Sequence, residues 1–164
     1  MEYCADSFFQ LLYPTQPILH QGRVQQTILA VDQSIEAYCK MCSLCSYVLL
    51  QPNAVLPPNL ALHAEPGQIP SQTMGLLLLE ECMRLRQGFH FYENPTTLTV
   101  YTSFFISGSY FCLDKQNTSW AYLRQSMTLA HIMGMHIDDT YKLEDPIDSS
   151  RKRRLYWLLF IMDR

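Results

Sequence analysis

The stretch TTLTVYTSFFISGSYFCL, residues 96–113, most constrains what this chain can fold into. Its β-branched and aromatic residues suit a strand. Its length does not, because ordinary strands run to about ten residues at most. Leu98, Tyr101, Phe105, Gly108 and Cys112 instead keep a three-and-four spacing, which places them along one side of a helix. A helix here leaves no candidate strand of any strength, and the chain reads as all-α.

The rest of the periodicity agrees. EYCADSFFQLL is a short amphipathic helix that the two prolines of YPTQP end, since neither can donate a backbone N–H. Asp32 is the expected N-cap of a helix with Ile35, Tyr38, Cys42, Cys45 and Leu49 on one stripe. QPNAVLPPNLALHAEPGQIP, residues 51–70, holds five prolines and a glycine and is expected to be a loop. Ser71 should cap the next helix, with Met74, Leu77, Leu78, Cys82 and Leu85 inward and Glu80, Glu81 and Arg84 outward. Pro95 suits the first turn of the 96–113 helix. Asn117 or Thr118 is expected to cap WAYLRQSMTLAHIM, with Trp120, Leu123, Met127 and Ala130 buried. Gly134 supplies its left-handed end. The three helices from Ser71 to Gly134 are joined by short turns, so antiparallel packing of successive neighbours is expected.

The chain closes on SSRKRRLYWLLFIMDR. Asp148, Ser149 or Ser150 should cap this last helix. Leu155, Leu158, Leu159 and Met162 share a face, while Tyr156, Trp157, Phe160 and Ile161 cover most of the rest. A helix apolar almost all round is expected to be buried on all sides. The expectation is therefore a piece of a longer domain, continuing past Arg164. The basic run before it reads as a solvated, ion-paired first turn, with Asp148 set to pair Lys152, rather than as a phosphate or import patch. On this reading Arg151 and Lys152 are the dispensable charges, and Arg153 and Arg154 pack against the helix.

Only 16% of the residues are charged and 48% belong to the apolar AVILMFWYC set, more apolar surface than a self-contained body of 164 residues usually hides. The net charge of −3 argues against a surface devoted to nucleic acid. No apolar run reaches the length of a membrane span, and MEYCADSFF lacks the basic start of a secretory signal. Six cysteines then read as reduced thiols.

Cys39, Cys42 and Cys45 form a C-x₂-C-x₂-C run. They lie on one side of a helix, and a zinc site would need Cys4, Cys82, Cys112 or a histidine from elsewhere. Buried structural thiols are the expectation. His131, His136, Asp138 and Asp139 lack the adjacent His-Asp pair of a helical metallohydrolase, so a helix-end histidine and an acidic turn are expected. No catalytic, cofactor or metal residue is assigned.

SSRKRRLYWLLFIMDR resembles the signature helix in the middle homology region of fungal zinc-cluster transcription factors. SWAYLRQSMTLAHIMGMHID resembles that family's preceding Trp-led helix and glycine cap, and LLYPTQPILH resembles its entry segment. The matching positions are Trp120, Gly134, His136, Arg153, Arg154, Leu155, Trp157, Asp163 and Arg164. EAYCKMCSLCSYVLLQ, RLRQGFHFYENPTTLTVYTSFFISGSYF and YKLEDPIDSSRKRRLYWLLF look most like the maltose- or starch-responsive activators of amylolytic genes in filamentous fungi.

The resemblance implies the N-terminal portion, residues 1–164, of an all-α regulatory domain of a transcription activator. It acts in the nucleus, or in the cytoplasm before induction, and responds to a sugar inducer. It implies no enzyme. DNA and zinc binding belong to an upstream six-cysteine basic cluster that this chain does not contain. A chaperone, a co-regulator or a second copy are the protein partners it leaves open, and no membrane. A helical interaction fragment without DNA binding, and an all-α metal-dependent hydrolase, are the competing readings. Aromatic platforms beside amides and carboxylates suit a sugar, and they coincide at Tyr92-Glu93-Asn94 and at Asn117-Trp120.

Overall fold

The computed structural model describes residues 1–54 and 70–164. Most of the proline-rich 51–70 segment therefore lies outside the described residues. Those described form seven α-helices and one short 3₁₀ turn, with no strand. The helices are α1 (Glu2–Leu11), α2 (Gln21–Leu29), α3 (Ile35–Leu49), α4 (Pro70–Arg86), α5 (Thr97–Cys112), α6 (Gln116–Ile132) and α7 (Pro146–Met162). The all-α expectation holds.

Two helices are buried nearly all round. In α3 every residue from Ala37 to Leu49 except Tyr38 is buried, and in α5 Thr99 to Ser107 and Ser109 are buried. Phe105 sits where they meet, stacked on Tyr47 and Tyr101, with Phe8 of α1 edge-on at 6.0 Å. Burying α5 places its hydroxyls in an apolar interior, and each finds a carbonyl as burial requires. Thr102 donates to Leu98, Ser109 to Phe105, Ser107 to Ser119, and Tyr101 to Ile18 at 2.6 Å. α5 packs against α6 and α3, and the principal partner of α4 is α3 rather than the helix that follows it.

Several local expectations shift. α3 is capped by Ser34, whose hydroxyl accepts from the Ala37 N–H, not by Asp32. α5 starts from Thr96 in a capping box with Thr99, which leaves Pro95 just outside. α6 begins at Gln116, so Asn117 and Thr118 lie in its first turn rather than capping it. α7 is capped by Asp145, which accepts from the Ile147 and Asp148 N–H groups, with Pro146 in the first turn. α4 turns Gly75, Leu79, Cys82 and Arg86 inward, leaving Met74 and Leu77 exposed. The small Gly75 lets α4 approach Leu49 and Leu50 of α3.

Gly134 does end α6, at φ 69°. Its N–H donates to His131 and that of Met135 to Ala130, the paired bonds of a Schellman motif.

α7 departs most from expectation. Only Leu155 and Leu159 are buried, and Trp157 and Ile161 are 58% and 68% exposed, one turn apart on the outer face. An exposed apolar stripe of this kind drives association. The chain is expected to sediment as more than a monomer, and Trp157→Gln with Ile161→Gln to shift it toward one. Monomeric wild-type protein in sedimentation velocity would contradict this.

Candidate functional site: a neutral cleft beside Trp120

Where the ends of α5 and α7 meet the start of α6, the described residues leave a cleft of about 660 Å³. α5 contributes Ser107, Gly108 and Phe111, α6 contributes Ser119, Trp120 and Leu123, and α7 contributes Met162. Tyr47 and Gln51 enter from α3 and its end, and Gln16 from the turn after α1. Trp120 was expected to lie in the core. It is instead 47% exposed on the cleft wall, and Phe111 is 69% exposed. The buried stripe of α6 runs through Ser119, Leu123, Ser126, Met127 and Ala130.

The polar groups here are amides and hydroxyls. Gln16 Nε2 donates to the Tyr47 hydroxyl at 2.9 Å, while Gln16 Oε1 is buried without a donor. Gln51 donates to the Tyr47 carbonyl and to Cys112 Sγ. Burial holds the Tyr47 phenol above its ordinary value and so protonated. No carboxylate or basic side chain lines the cleft among the described residues. The sequence singled out Trp120 at a helix start as a place that suits a sugar, but not the rest of the cleft, whose walls come from residues 16 to 162 and do not include Asn117.

Tyr92, Glu93 and Asn94 lie together on an exposed turn. The Tyr92 hydroxyl accepts from Gln125 Nε2. Gln125 Oε1 accepts from Arg86 Nη2 at 3.0 Å, and Ser103 takes a further bond from that nitrogen. Arg86 is itself buried, with its guanidinium 4.1 Å from the Phe91 ring. Tyr92 therefore sits on the rim of a buried polar network, and this turn and Trp120 are separate places.

The thiols are buried apart from the half-buried Cys112. Cys82 donates to the Cys39 carbonyl at 3.4 Å. Burial pushes the Cys42 thiol up to about 11, and the neighbouring Cys4 with burial holds Cys45 well above its usual value. Their partners go the other way, with hydrogen bonds from Cys45 and Cys82 holding Cys4 and Cys39 below the usual thiol value. His131 and His136 rings lie 5.1 Å apart, but Asp139 pairs with Lys142 and Asp138 with Arg153. Among the described residues no group of three or more His, Cys, Asp or Glu side chains could hold a metal.

The signature residues serve several structural ends: Leu155 is core, Gly134 ends α6, and Asp163 ties α7 to α6. Asp163 pairs with Arg124 of α6 at 2.8 Å, and the Arg164 guanidinium lies over the Phe160 ring at 4.3 Å. Arg154 donates to the Pro17 carbonyl at 3.3 Å. Within the basic run the expected order reverses. Arg151 and Lys152 side chains are only 11% and 17% exposed, paired with Asp148 and Glu144. Arg23 of α2 joins Asp145 and Asp148 to the same network. Arg153 and Arg154 are exposed. Arg151→Gln should therefore cost about 1.5–3 kcal/mol in urea unfolding, the range for hydrogen bonds to charged groups. Arg153→Gln should stay within about 0.5 kcal/mol. Equal effects would contradict the reversal.

The model of the fungal specific transcription factor domain matches residues 5–164. The chain belongs to this family. A probable sucrose utilization protein, SUC1, of Candida albicans (strain SC5314 / ATCC MYA-2876) is 26% identical over 164 residues, covering all of this chain. The chain spans 31% of that relative's length. No solved structure matches. The family is one of transcription factors, so this is a regulatory domain of that kind, and the family implies action in the nucleus. Among the described residues no helix is long and apolar enough to cross a membrane.

Proposed function

We propose that this chain is part of the effector-responsive regulatory region of an activator of carbohydrate-utilisation genes, with residues 1–164 forming its N-terminal portion. The observation that carries the reading is the family match over residues 5–164. The carbohydrate branch draws on the similarity to a protein named for sucrose utilization, and on the sequence likeness to amylolytic activators. The inducer is then an α-glucan-derived sugar or sucrose. No catalytic role is assigned. DNA contact and zinc belong to a basic cysteine cluster outside this chain, and the activator waits in the cytoplasm before induction.

The test is transcriptional. The chain is fused to a heterologous DNA-binding module and a reporter is read with and without maltose and sucrose in a fungal host. Output that changes with sugar supports the proposal, and output indifferent to both sugars counts against it. Glu93→Ala with Asn94→Ala in the same fusion asks whether the Tyr92–Asn94 turn takes part. An altered response without loss of fold assigns it a role.

A second reading has its own observation, the exposed Trp157 and Ile161 stripe on α7. There the chain acts by holding a co-regulator, a chaperone or a second copy. Lowered reporter output in Trp157→Gln with Ile161→Gln, with the fold-change on adding sugar unaltered, would favour it.

A further inference from the structure

We propose that the cleft walled by Tyr47, Phe111 and Trp120 binds a neutral, polyhydroxylated small molecule of disaccharide size. The choice of sugar rests on the carbohydrate reading above, while the chemical class comes from the cleft itself.

Three observations carry the inference. The cleft measures about 660 Å³, inside the roughly 300–1,000 Å³ range of small-molecule sites. Two aromatic side chains, Trp120 and Phe111, stay substantially exposed on its wall although the core is otherwise rich in buried rings. The Arg124 guanidinium, itself paired with Asp163, lies 5.8 Å from the Trp120 ring centroid, and the exposed aromatic surface that remains beside polar groups suits a ligand with an apolar face and a hydrated edge. A pyranose ring is such a body.

The third observation sets the ligand's charge and its hydrogen bonding. The described lining has amides at Gln16, Gln51 and Gln116 and hydroxyls at Ser107 and Ser119, with no acidic or basic side chain. An anionic or cationic ligand would leave water without a counter-charge, which is costly. Amides both donate and accept, as hydroxyl groups do. The Gln16 amide belongs to this lining, and its Nε2 donates to the Tyr47 hydroxyl at 2.9 Å, which fixes that wall of the cleft.

Tyr47 also locks the geometry. Its ring lies so close to Gly108 that a Cβ there would come within 2.5 Å of it. The Tyr47 hydroxyl that holds Gln16 is thus fixed by the contact of α3 with α5, and the cleft floor is set before any ligand arrives.

The experiment titrates the full chain by calorimetry with maltose and with sucrose, and with glucose 6-phosphate as the charged comparator. In parallel, Trp157→Gln leaves Trp120 as the sole tryptophan and reports the cleft by fluorescence. The expected result is a saturable heat and a saturable Trp120 signal with a neutral disaccharide. Affinity should fall at least tenfold in both Gln16→Leu and Trp120→Ala while helical circular dichroism is unchanged, and partly return in Trp120→Phe. Glucose 6-phosphate should bind at least tenfold more weakly.

No saturable response to either disaccharide would overturn the proposal, as would binding indifferent to both substitutions or stronger for the phosphate. The reporter fusion separates this claim from the functional one. Sugar-dependent output that survives Trp120→Ala and Gln16→Leu keeps the regulatory reading and overturns the cleft. Binding that both substitutions remove, with a reporter indifferent to sugar, supports the cleft and overturns the carbohydrate reading.

Discussion

Lys40→Met is expected to stabilise the domain by on the order of 2–4 kcal/mol at pH 6, and most of that gain should be gone by pH 9, a shrinkage of about 3 kcal/mol. Lys40 is fully buried in α3. Its ammonium donates to Thr27 Oγ1 at 3.0 Å and lies 5.5 Å from the Tyr101 ring, and no carboxylate pairs with it among the described residues. Burial, with Arg151 adding repulsion, lowers its pKa to about 7.

In the unfolded chain the same group titrates near ~10.4. Between those values the unfolded state carries a proton that the folded state lacks, so wild-type stability rises with pH across the window. Below about 7 both states are charged, and the full burial penalty remains. Methionine keeps the unbranched stem and removes the charge. Thr27 still donates to the Arg23 carbonyl, so its hydroxyl is not stranded. Urea unfolding of both proteins at pH 6 and 9 reads the effect. A gain independent of pH would contradict a titrating Lys40.

Gly108→Val should cost about 3 kcal/mol, at the upper end for overpacking a well-filled interior. A Cβ at Gly108 would lie 2.5 Å from one Tyr47 ring carbon and 2.7 Å from another. The ring cannot swing aside freely, since it stacks on Phe105 at 5.9 Å and its hydroxyl holds Gln16. The helix propensity recovered by replacing a glycine is only about 0.5 kcal/mol or less for valine. Gly22 gives the contrast, because a Cβ there meets His20 no closer than 3.5 Å. Gly22→Ala should therefore be neutral or slightly stabilising. Thermal unfolding of both variants checks the pair, and an undiminished midpoint for Gly108→Val would contradict the close crossing of α3 and α5.

The helical character of residues 97–112 and the cap at Gly134 were legible because each follows from local chemistry. Spacing set the first, and a backbone at φ 69° set the second. Cap positions were less legible. Ser34, Asp145 and Thr96 each stand within three residues of another plausible cap, and packing rather than side-chain chemistry chooses among them. The phase of α4 failed for a related reason. Leu76 to Leu79 are four consecutive leucines, and the small residues Ser71 and Gly75, which lie inward, carry no hydrophobic signal.

α2 was missed altogether. QGRVQQTIL has few apolar residues, and only Val24 and Thr27 are buried in it. The buried charges of Lys40 and Arg86 ran against the ordinary rule that such side chains stay wet. Trp120 misled in the opposite direction. It leads the Leu123, Met127 and Ala130 stripe, yet its ring sits at the helix start where α5 and α7 leave room.

The most direct test of a sugar-responsive regulatory domain is the melting temperature of the chain with and without a neutral disaccharide. A ligand that binds only the folded state at about a hundredfold excess over Kd adds about 2.7 kcal/mol. For a chain of this size that corresponds to a rise of roughly 5–11 °C. We expect that rise with maltose or sucrose, and its loss in Trp120→Ala. An unchanged melting temperature at saturating concentrations of both sugars, in protein that melts cooperatively, would contradict it.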